Sequence, residues 1–412
     1  MYLIVAVLVA VAGTMIAEDG SEIDVIRLTD TLYQLTTDQG AYTTNTIASV
    51  GEDGVLLVDT QAEGDADRLK EVVDGFGKGT PKIIINTHRH VEHVGGNAVF
   101  GPEPVIIAHS LVPSKLRSGS YIFNEFPDAT FPDITIDDSM SVFFNGEEIR
   151  LIAMPGSHDD NEVIVHFTES KVVHLSSLVN GFNFPSVDSD GSVLEFAGLV
   201  ERAMEMLPTD VVIVSGHNDN GSWQDLQAYY DMLVGTIELV RQGLAAGKDV
   251  ETLQAEDALD EWKSYAGSYV SVDQWIEYVV QALVPVEEKK KSIYEPLYYA
   301  MQDGGTDSAV KEYSDLKLNH ADEYDFRDIH LLVIGDKLLD RGQIREAIAF
   351  FELSLQEFPD GEYAYYVKYE LALAHDKLGD TKTALRYCEK AIQQNPDSQA
   401  INSLLEKLKN KI

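Results

Sequence analysis

Short apolar runs alternate with helical or polar stretches along the first half of the chain. The runs are rich in strand-forming residues and lie at 48–50, 54–58, 83–85, 105–107, 163–165 and 211–213. Between them, residues 65–73 and 194–207 read as helical stretches, and residues 271–283 carry apolar positions at helical spacing. Strands that alternate with helices predict an α/β layer architecture. The pattern therefore predicts a first, α/β domain over residues 23–283.

A charged segment separates this domain from a region that repeats itself. Residues 284–292, which include the run Glu-Glu-Lys-Lys-Lys at 287–291, predict a linker. Beyond it, six positions recur 37 residues later: Gly342, Ala347, Phe350, Leu355, Pro359 and Asp360 correspond to Gly379, Ala384, Tyr387, Ile392, Pro396 and Asp397. Small residues and a terminal proline at one period predict stacked helix pairs. We therefore expect an all-α helical-repeat domain over residues 293–412.

This second region resembles tetratricopeptide repeats over about residues 328–412, and residues 293–318 are expected to form one more helix pair. The resemblance implies an interaction surface, because such repeats stack into a curved module with a concave face. Two uses of that surface stay open from the sequence. It grips a partner peptide, or it serves as a dimerisation or docking surface that covers the catalytic domain.

Composition limits the classes of partner. The chain has 412 residues and a formal net charge of -38 at pH 7, from 69 acidic and 31 basic residues. This charge repels phosphate backbones and anionic membrane surfaces, which argues against nucleic acid as a partner. Cys388 is the one cysteine, so the chain forms no intrachain disulfide and no cysteine-based zinc knuckle.

The first residues of the chain predict export. Residues 2–16 contain no charged side chain and are mostly apolar, before the polar chain starts at Glu18. This pattern predicts a secretory signal peptide over residues 1–17 and a periplasmic or secreted protein. The segment is shorter than the roughly 20 residues of a membrane span. An uncleaved membrane anchor is the alternative, and it is the one route by which the sequence predicts membrane attachment.

Three imidazoles and a carboxylate lie close together after the apolar run 83–85. They are His88, His90, Glu92 and His93, and Gly95 and Gly96 follow them. Strand alternation directs His88 and His90 the same way, and a turn at the glycines lets Glu92 and His93 face a second point. Neutral imidazole and carboxylate are ligands that suit Zn²⁺ and related metals. The run predicts a metal site.

The order of motifs in the first domain resembles the metallo-β-lactamase fold superfamily. Besides the run 88–96, the matching residues are Asp59 at a strand end, His158 after Gly156-Ser157, and His217 after Gly216. The resemblance implies an αββα sandwich. It also implies that one metal is held by His88, His90 and His158, that a second is held by Glu92, His93 and His217, and that Asp59 supports the ligands from behind.

Two residues depart from the pattern of that superfamily, and both concern the second metal. Glu92 stands where the family usually has an aspartate, and Ser177 stands where many members have a carboxylate that bridges the metals. Serine is a poor zinc ligand, and a single carboxylate offsets less of the metal's charge than two. We therefore expect one tightly bound Zn²⁺ and a second site that is weak or is completed by the substrate.

Other residues near these motifs have less defined roles. The aromatic loop at 180–188 is expected to border the mouth of the site, so Phe182, Asn183 and Phe184 are candidates for substrate contact or for plain loop packing. The apolar residues 121–123 and Phe126 are candidates for a flap. The sequence predicts structural roles for His109, His166 and His174, which lie in or beside strands. The alternative for His109 and His174 is a position near the pocket.

These patterns predict an exported, zinc-dependent hydrolase. By resemblance, it acts on a small ester, lactone, amide or thioester through a metal-bound hydroxide that Glu92 helps to orient. The alternative is a metal-binding domain that has lost efficient catalysis and serves with its repeats as a binding or scaffold module. Glu92 and Ser177 keep this alternative open, whereas the five retained histidines argue against it.

Overall fold

The structure, a computed structural model, describes residues 23–38, 43–187, 191–267, 270–284, 290–396 and 398–411. The predicted signal peptide and much of the predicted linker lie outside these residues. Contacts divide the described chain into two compact units. The first contains the described residues up to 113 and those from 127 to 286. The second contains residues 114–126 and the described residues from 287 onwards.

Two sheets form the centre of the first unit. One has seven strands in sequence order: β1 (Ile23–Arg27), β2 (Leu32–Asp38), β3 (Thr43–Val50), β4 (Val55–Val58), β5 (Ile83–Ile85), β6 (Val105–His109) and β7 (Ile134–Ile136). The other has the order β12-β11-β10-β9-β8, from β8 (Ser139–Phe144), β9 (Glu147–Ala153), β10 (Val163–Phe167), β11 (Val172–His174) and β12 (Val212–Val214). Strands β4 to β7 pair in parallel, as do β11 and β12.

Three apolar layers hold these sheets and their helices together. The residues between the sheets include Ile47, Val58, Leu151 and Val165, all fully buried. Helix α1 (Ala66–Gly75) buries Leu69 against the outer face of the larger sheet. The smaller sheet is covered by α4 (Val193–Met206), α5 (Trp223–Ala245), α6 (Val250–Ala255) and α7 (Val272–Leu283). This arrangement confirms the predicted αββα sandwich.

The remaining helices of the chain differ in size. The two shortest are α2 (Val91–Val94) and α3 (Val112–Lys115), and the helical region contains α8 (Tyr294–Asn319), α9 (Asp328–Asp340), α10 (Ile344–Glu357), α11 (Ala364–Lys377), α12 (Thr381–Gln394) and α13 (Gln399–Lys409). Gly342 and Gly379 have positive φ at the turns inside the pairs α9–α10 and α11–α12. Ala347 and Ala384 are fully buried where the helices of each pair cross. The predicted all-α region of stacked helix pairs is therefore confirmed.

A short segment from within the first domain packs into the second unit. Residues 114–126 place Ile122 and Phe123 in the helical core, where the Phe123 ring lies edge-on to Tyr298 at 5.4 Å. Arg341 donates to the Phe123 carbonyl at 2.8 Å, and Lys337 donates to Asn124 at 2.7 Å. The predicted boundaries place residues 114–126 in the first domain, whereas their contacts place them in the second unit. Because Ile122 and Phe123 are buried, residues 121–123 do not form the apolar flap that the sequence predicted.

No helix among the described residues combines the length and the apolar character that a membrane crossing requires.

Candidate metal centre

The histidine-rich run sits at the carboxyl ends of parallel strands. Strand β5 ends at Ile85, and the chain passes through residues 86–90 into the short helix α2, of which His90 is the N-cap. Glu92 and His93 lie inside this four-residue helix. His217 follows β12, which pairs in parallel with β11. The two sheets therefore direct their site residues to the same end of the sandwich.

Close backbone packing explains the two glycines after the helix. A side chain at Gly96 would place its Cβ 2.1 Å from the Thr60 carbonyl oxygen, and one at Gly95 would lie 2.6 Å from the Glu63 nitrogen. Gly96 also donates a backbone hydrogen bond to Gln61. The segment after β4 can thus pack directly on the segment after α2, which brings Asp59 to His93.

The structure brings His88, His90 and His158 together. The ligand atoms of these three side chains lie within 4.8 Å of one another. Nε2 of His158 is 3.2 Å from Nδ1 of His90, and Nδ1 of His158 donates to the Ser186 carbonyl at 2.9 Å. Burial and the neighbouring imidazoles hold the pKa of His88 well below its usual range. The imidazole is therefore neutral at pH 7, as a metal ligand must be.

A second group contains Glu92, His93 and His217, whose ligand atoms also lie within 4.8 Å of one another. Nε2 of His93 is 3.2 Å from Nε2 of His217. Nδ1 of His217 donates to the Thr43 carbonyl at 3.0 Å, which leaves the lone pair of Nε2 facing His93. Burial, followed by the neighbouring His93, lowers the pKa of His217 to about 3.

Asp59 fixes the orientation of His93 from behind. Its carboxylate lies 2.7 Å from Nδ1 of His93 and accepts hydrogen bonds from the backbone nitrogen and the hydroxyl of Thr87, each at 2.8 Å. Because a carboxylate accepts, Nδ1 of His93 donates and Nε2 carries the free lone pair. Asp59 itself has a positive φ of 66° at the end of β4. Asp59 thus contacts the ring nitrogen of His93 that does not face His217.

Glu92 belongs to the second group and also lies near the first. Its Oε1 is 3.7 Å from Nδ1 of His90, a residue of the first group. Burial opposes ionisation, but the imidazoles of His90, His93 and His217 together lower the pKa of Glu92. The carboxylate is therefore ionised at neutral pH. The glutamate side chain reaches this place despite its extra methylene.

The atoms of both groups fit a metal ion. Nε2 of His88 is buried and has no hydrogen-bond partner among the described residues. Nε2 of His93 and Nε2 of His217 present two lone pairs to each other at 3.2 Å, since each ring donates its proton elsewhere. Facing lone pairs repel unless a cation lies between them. A divalent metal bound by these nitrogens would give Nε2 of His88 a partner and would remove the repulsion between the lone pairs of His93 and His217.

A carboxamide network holds the loop that carries His217. Asn45 donates from its side chain to the carbonyls of Ser215 and Asn218, each at 3.0 Å, on both sides of that histidine. The Asn45 oxygen accepts from Gln34 at 2.9 Å and from Thr36 at 2.8 Å. Its bonds fix the loop to strands β2 and β3. Nothing in the sequence motifs indicated Asn45, although a lone asparagine inside a strand is unusual.

An ion pair beneath the first group was also missed by the sequence analysis. Arg89 Nε lies 2.7 Å from Asp159 Oδ2, and both side chains are buried. The same carboxylate oxygen is 3.7 Å from Nε2 of His90. Burial raises the pKa of Asp159, while Arg89 and His90 oppose that rise. The charged residues that follow His158 just before a fully buried strand were the available signal.

The loop after β11 places two serines differently. The hydroxyl of Ser176 lies 3.3 Å from Nδ1 of His88. Ser177 is fully buried, and its hydroxyl has no hydrogen-bond partner among the described residues. Behind His88, Glu162 is fully buried, 3.8 Å from Nδ1, and burial raises its pKa well above the usual range. The contact to His88 thus comes from the serine that the sequence analysis did not select.

The three candidate residues of the loop 180–188 have different surroundings in the structure. Phe184 is buried, and its ring stacks on Trp275 at a centroid distance of 5.5 Å, so it packs in the core. Phe182 lies edge-on to Tyr229 at 6.1 Å and is partly buried. Asn183 alone of the three lines an open cavity, beside Asn218. Packing therefore accounts for Phe184, and Asn183 stays available for contact with a ligand.

The other histidines of the first unit lie outside both groups. His174 is buried, donates to the Asn45 carbonyl at 3.0 Å and accepts from the Ser176 nitrogen at 3.2 Å. Nδ1 of His109 accepts from the Leu111 nitrogen at 3.2 Å. His166 lies in the buried strand β10. The contacts of His174 and His109 agree with the structural roles predicted for them.

Asp59→Asn is expected to weaken the second metal by about 10- to 100-fold, because partners that orient a ligating histidine have effects of this size. The zinc affinity of the first group should change less, since Asp59 contacts that group only through the Thr87 hydroxyl, which lies beside His88. Titration with zinc against a chromogenic chelator measures both affinities. Asp231→Asn, on the surface of α5, is the control. An unchanged second affinity would show that Asp59 does not orient His93.

Comparison with known families agrees with this geometry. A model of the metallo-beta-lactamase superfamily matches residues 40–217, a range that contains every residue of both groups. A tetratricopeptide repeat model matches residues 338–408. Together, these matches cover the sandwich up to His217 and the helices α10 to α13.

Individual relatives are distant. The chain is 24% identical over 212 residues to the 2,4-dinitroanisole O-demethylase subunit alpha of Nocardioides sp. (strain JS1661). The aligned region covers 50% of this chain and 62% of that protein. The chain thus spans less than two thirds of the length of this curated relative.

One solved structure with a similar fold is a sulfatase. A double mutant of the sec-alkyl sulfatase PisA1 superposes with a TM-score of 0.52 at 14% identity, over 86% of this chain and 62% of that one. A metallo-beta-lactamase from Pontibacter korlensis has a TM-score of 0.44 at 18% identity, over 51% of this chain and 98% of that one. The chain therefore contains a metallo-beta-lactamase superfamily domain, with the histidine-rich site of the metal-dependent hydrolases of that superfamily, and a C-terminal tetratricopeptide repeat.

Proposed function

We propose that the protein is a zinc-dependent hydrolase of a small ester, lactone, amide or thioester. The observation that carries this proposal is the pair of ligand groups, with Glu92 of the second group 3.7 Å from His90 of the first. Nitrogen-rich groups of three ligands leave an open coordination position, as catalytic zinc sites do. Zinc supplies Lewis acidity when bound, which acidifies water and polarises an electrophile.

The residues of the chain have distinct parts in this proposal. His88, His90 and His158 hold the first zinc, and His93 and His217 hold the second with Glu92. Neutral imidazoles are ready to bind without losing a proton, which the low pKa values of His88 and His217 support. Glu92 is ionised and accepts a proton or orients the nucleophile between the two groups.

We also propose that the second zinc is the weaker one. Glu92 is the one carboxylate of its group, and Ser177, at the place of a bridging carboxylate in many relatives, has a neutral hydroxyl. A serine hydroxyl offsets none of the metal's charge.

The relatives suggest what to include among the substrates tested. One is named for demethylation of 2,4-dinitroanisole, an aryl methyl ether, and the other for hydrolysis of secondary alkyl sulfates. Both are distant, so neither substrate is assigned to this protein. The panel should therefore contain chromogenic esters, lactones, thioesters, a cephalosporin, 2,4-dinitroanisole and an alkyl sulfate.

The test is turnover of this panel by protein purified without a chelator, with zinc measured in the same sample. Turnover that disappears in the His90→Ala variant would support the hydrolase and begin to identify its substrate. Bound zinc without turnover of any compound would favour the alternative, in which the domain and its repeats form a binding or scaffold module.

Glu92→Asp tests whether the site depends on the longer side chain. Because Glu92 spans from the second group to within 3.7 Å of His90, shortening it should lower kcat by about 10- to 100-fold. Initial rates and second-metal occupancy are measured together. If activity and occupancy both rise, the glutamate is instead a compromised ligand. Glu63→Asp, on the neighbouring segment, is the matched control.

Export and partner binding complete the proposal. The uncharged apolar segment at 2–16 supports a signal peptide and a periplasmic or secreted location. The repeat supports binding of a protein partner. Fractionation of cells followed by N-terminal sequencing of the mature protein tests the first, and cross-linking with partner identification tests the second.

A further inference from the structure

The buried ion pair of Arg89 and Asp159 joins the two chain segments that supply the first ligand group. Arg89 lies between His88 and His90 in the sequence, and Asp159 directly follows His158. Nε of Arg89 is 2.7 Å from Oδ2 of Asp159, and the exposed fractions of the two side chains are 8% and 0%. The pair therefore connects the segment after β5 to the loop between β9 and β10.

Hydrogen bonds fix both partners of this ion pair. The backbone nitrogen of Arg89 donates to Oδ1 of Asn161 at 2.9 Å. Oδ1 of Asp159 accepts from the backbone nitrogen of Asp160 at 2.6 Å, and the Asp159 carbonyl accepts from the Gly156 nitrogen at 2.9 Å. One oxygen of the Asp159 carboxylate is thus held by its own loop, while the other lies against Arg89.

The same carboxylate lies beside the ring nitrogen of His90 that does not face His158. Nδ1 of His90 is 3.2 Å from Nε2 of His158, whereas Nε2 of His90 is 3.7 Å from Oδ2 of Asp159. At 3.7 Å the contact is electrostatic rather than a hydrogen bond. A carboxylate on this side favours the tautomer with the proton on Nε2, which leaves the lone pair of Nδ1 for a metal.

An equivalent arrangement occurs in the second group. There the Asp59 carboxylate lies 2.7 Å from Nδ1 of His93, and the other nitrogen of that ring faces His217. Each group therefore contains a histidine with a buried carboxylate on the side opposite its neighbouring ligand. In the first group, that carboxylate is itself held in place by Arg89.

We propose that Arg89 and Asp159 are positioning residues for the first metal. Arg89 holds the Asp159 carboxylate beside His90, and the pair keeps the loop that carries His158 next to the run 88–90. Two of the three ligands of the group thus depend on one interaction. The inference rests on the proposed function, because it concerns the zinc ion that this function requires.

A purely structural ion pair predicts a different result when both partners are replaced. Removing one partner leaves a buried, uncompensated charge, whereas removing both relieves that cost and restores stability. In Arg89→Met/Asp159→Asn, the folding stability should therefore return towards the wild-type value. The carboxylate beside His90 and the ion pair between the two segments are still absent, so a positioning role stays lost. The double variant separates the two roles.

Zinc affinity, measured without turnover, tests the proposal. Competition with a chromogenic chelator gives the tighter of the two zinc affinities, and urea unfolding in a chelator gives the stability of the same samples. The double variant should unfold close to the wild type and yet bind this zinc about 10- to 100-fold more weakly, as partners of ligating histidines do. The control is Arg150→Met/Glu148→Gln, which removes a more exposed ion pair of β9 outside both ligand groups and should leave zinc affinity unchanged.

The wild-type protein provides a second test that does not depend on how a variant folds. In the metal-free protein at about pH 8, where an ordinary imidazole is neutral, ¹⁵N shifts of labelled histidines report which nitrogen carries the proton. The His90 signal is assigned by its loss in His90→Ala. It should show the proton on Nε2, towards Asp159. A proton mainly on Nδ1 would overturn the role of Asp159.

The outcomes separate this inference from the hydrolase proposal. A double variant that regains stability and binds the first zinc as tightly as the wild type would overturn the positioning role and leave the hydrolase intact. The expected loss of affinity, together with a substrate panel that shows no turnover, would support the positioning role while counting against the hydrolase. A wild-type protein that binds no zinc would overturn both.

Discussion

His158→Ala is expected to lower kcat/KM by about 10³-fold or more and to remove the tightly bound zinc. His158 comes from the loop between β9 and β10, and it is the ligand of the first group that lies outside the run 88–93. Without it, two imidazoles remain in that group. Metal-assisted hydrolysis depends on several kcal/mol of stabilisation from the ion, and each 1.36 kcal/mol corresponds to about a tenfold change in rate.

The measurement combines steady-state kinetics with elemental analysis of zinc in the same samples. His320→Ala is the matched control, since His320 lies in the helical unit and is half exposed. It should keep both zinc and activity. A His158→Ala protein that retains stoichiometric zinc and turns over at the wild-type rate would remove His158 from the site.

The second large effect concerns stability. Arg89→Met is expected to destabilise the first unit by about 3 kcal/mol at pH 7, because it leaves the buried Asp159 carboxylate without its guanidinium partner. This loss of folding stability should increase as the pH rises. Burial already raises the pKa of Asp159, and removal of Arg89 raises it further. The carboxyl is then protonated at low pH, and stability falls as the pH rises from the unfolded-state value of about 3.9 towards the raised one.

Tryptophan fluorescence during urea unfolding reports this effect selectively, because Trp223, Trp262 and Trp275 all lie in the first unit. The experiment is done in a chelator so that metal loss does not contribute. The double variant Arg89→Met/Asp159→Asn should recover most of the stability, since it removes both buried charges. Equal losses in the single and double variants would show that the ion pair is not the cause.

The spacing of residues 88–93 predicted a metal site, and the resemblance to the superfamily added His158 and His217. Five histidines and Glu92 come at or just after the strand ends that meet at one end of the sandwich, and the structure gathers them into two groups. Spacing alone, however, does not indicate which neighbouring residues support the ligands. Asp159, Glu162 and Asn45 act through contacts between residues far apart in sequence, and only the folded chain brings these together.

Parts of the fold were missed for identifiable reasons. Strands β8 and β9 form a hairpin whose turn, Asn145-Gly146, has positive φ at both residues. Such a pair between alternating apolar residues is a strong hairpin signal, and it would have predicted both strands. The segment 114–126 had no comparable signal. Its apolar residues read equally well as an exposed flap, and they acquire their role only through burial among the helices.

Native mass spectrometry of the protein purified without a chelator tests the central claim most directly. One zinc ion should remain bound per chain after brief exposure to a mild chelator, while a second is lost, and the first should be absent from His158→Ala. A wild-type protein that holds no zinc when supplied with an excess of the metal would contradict the account.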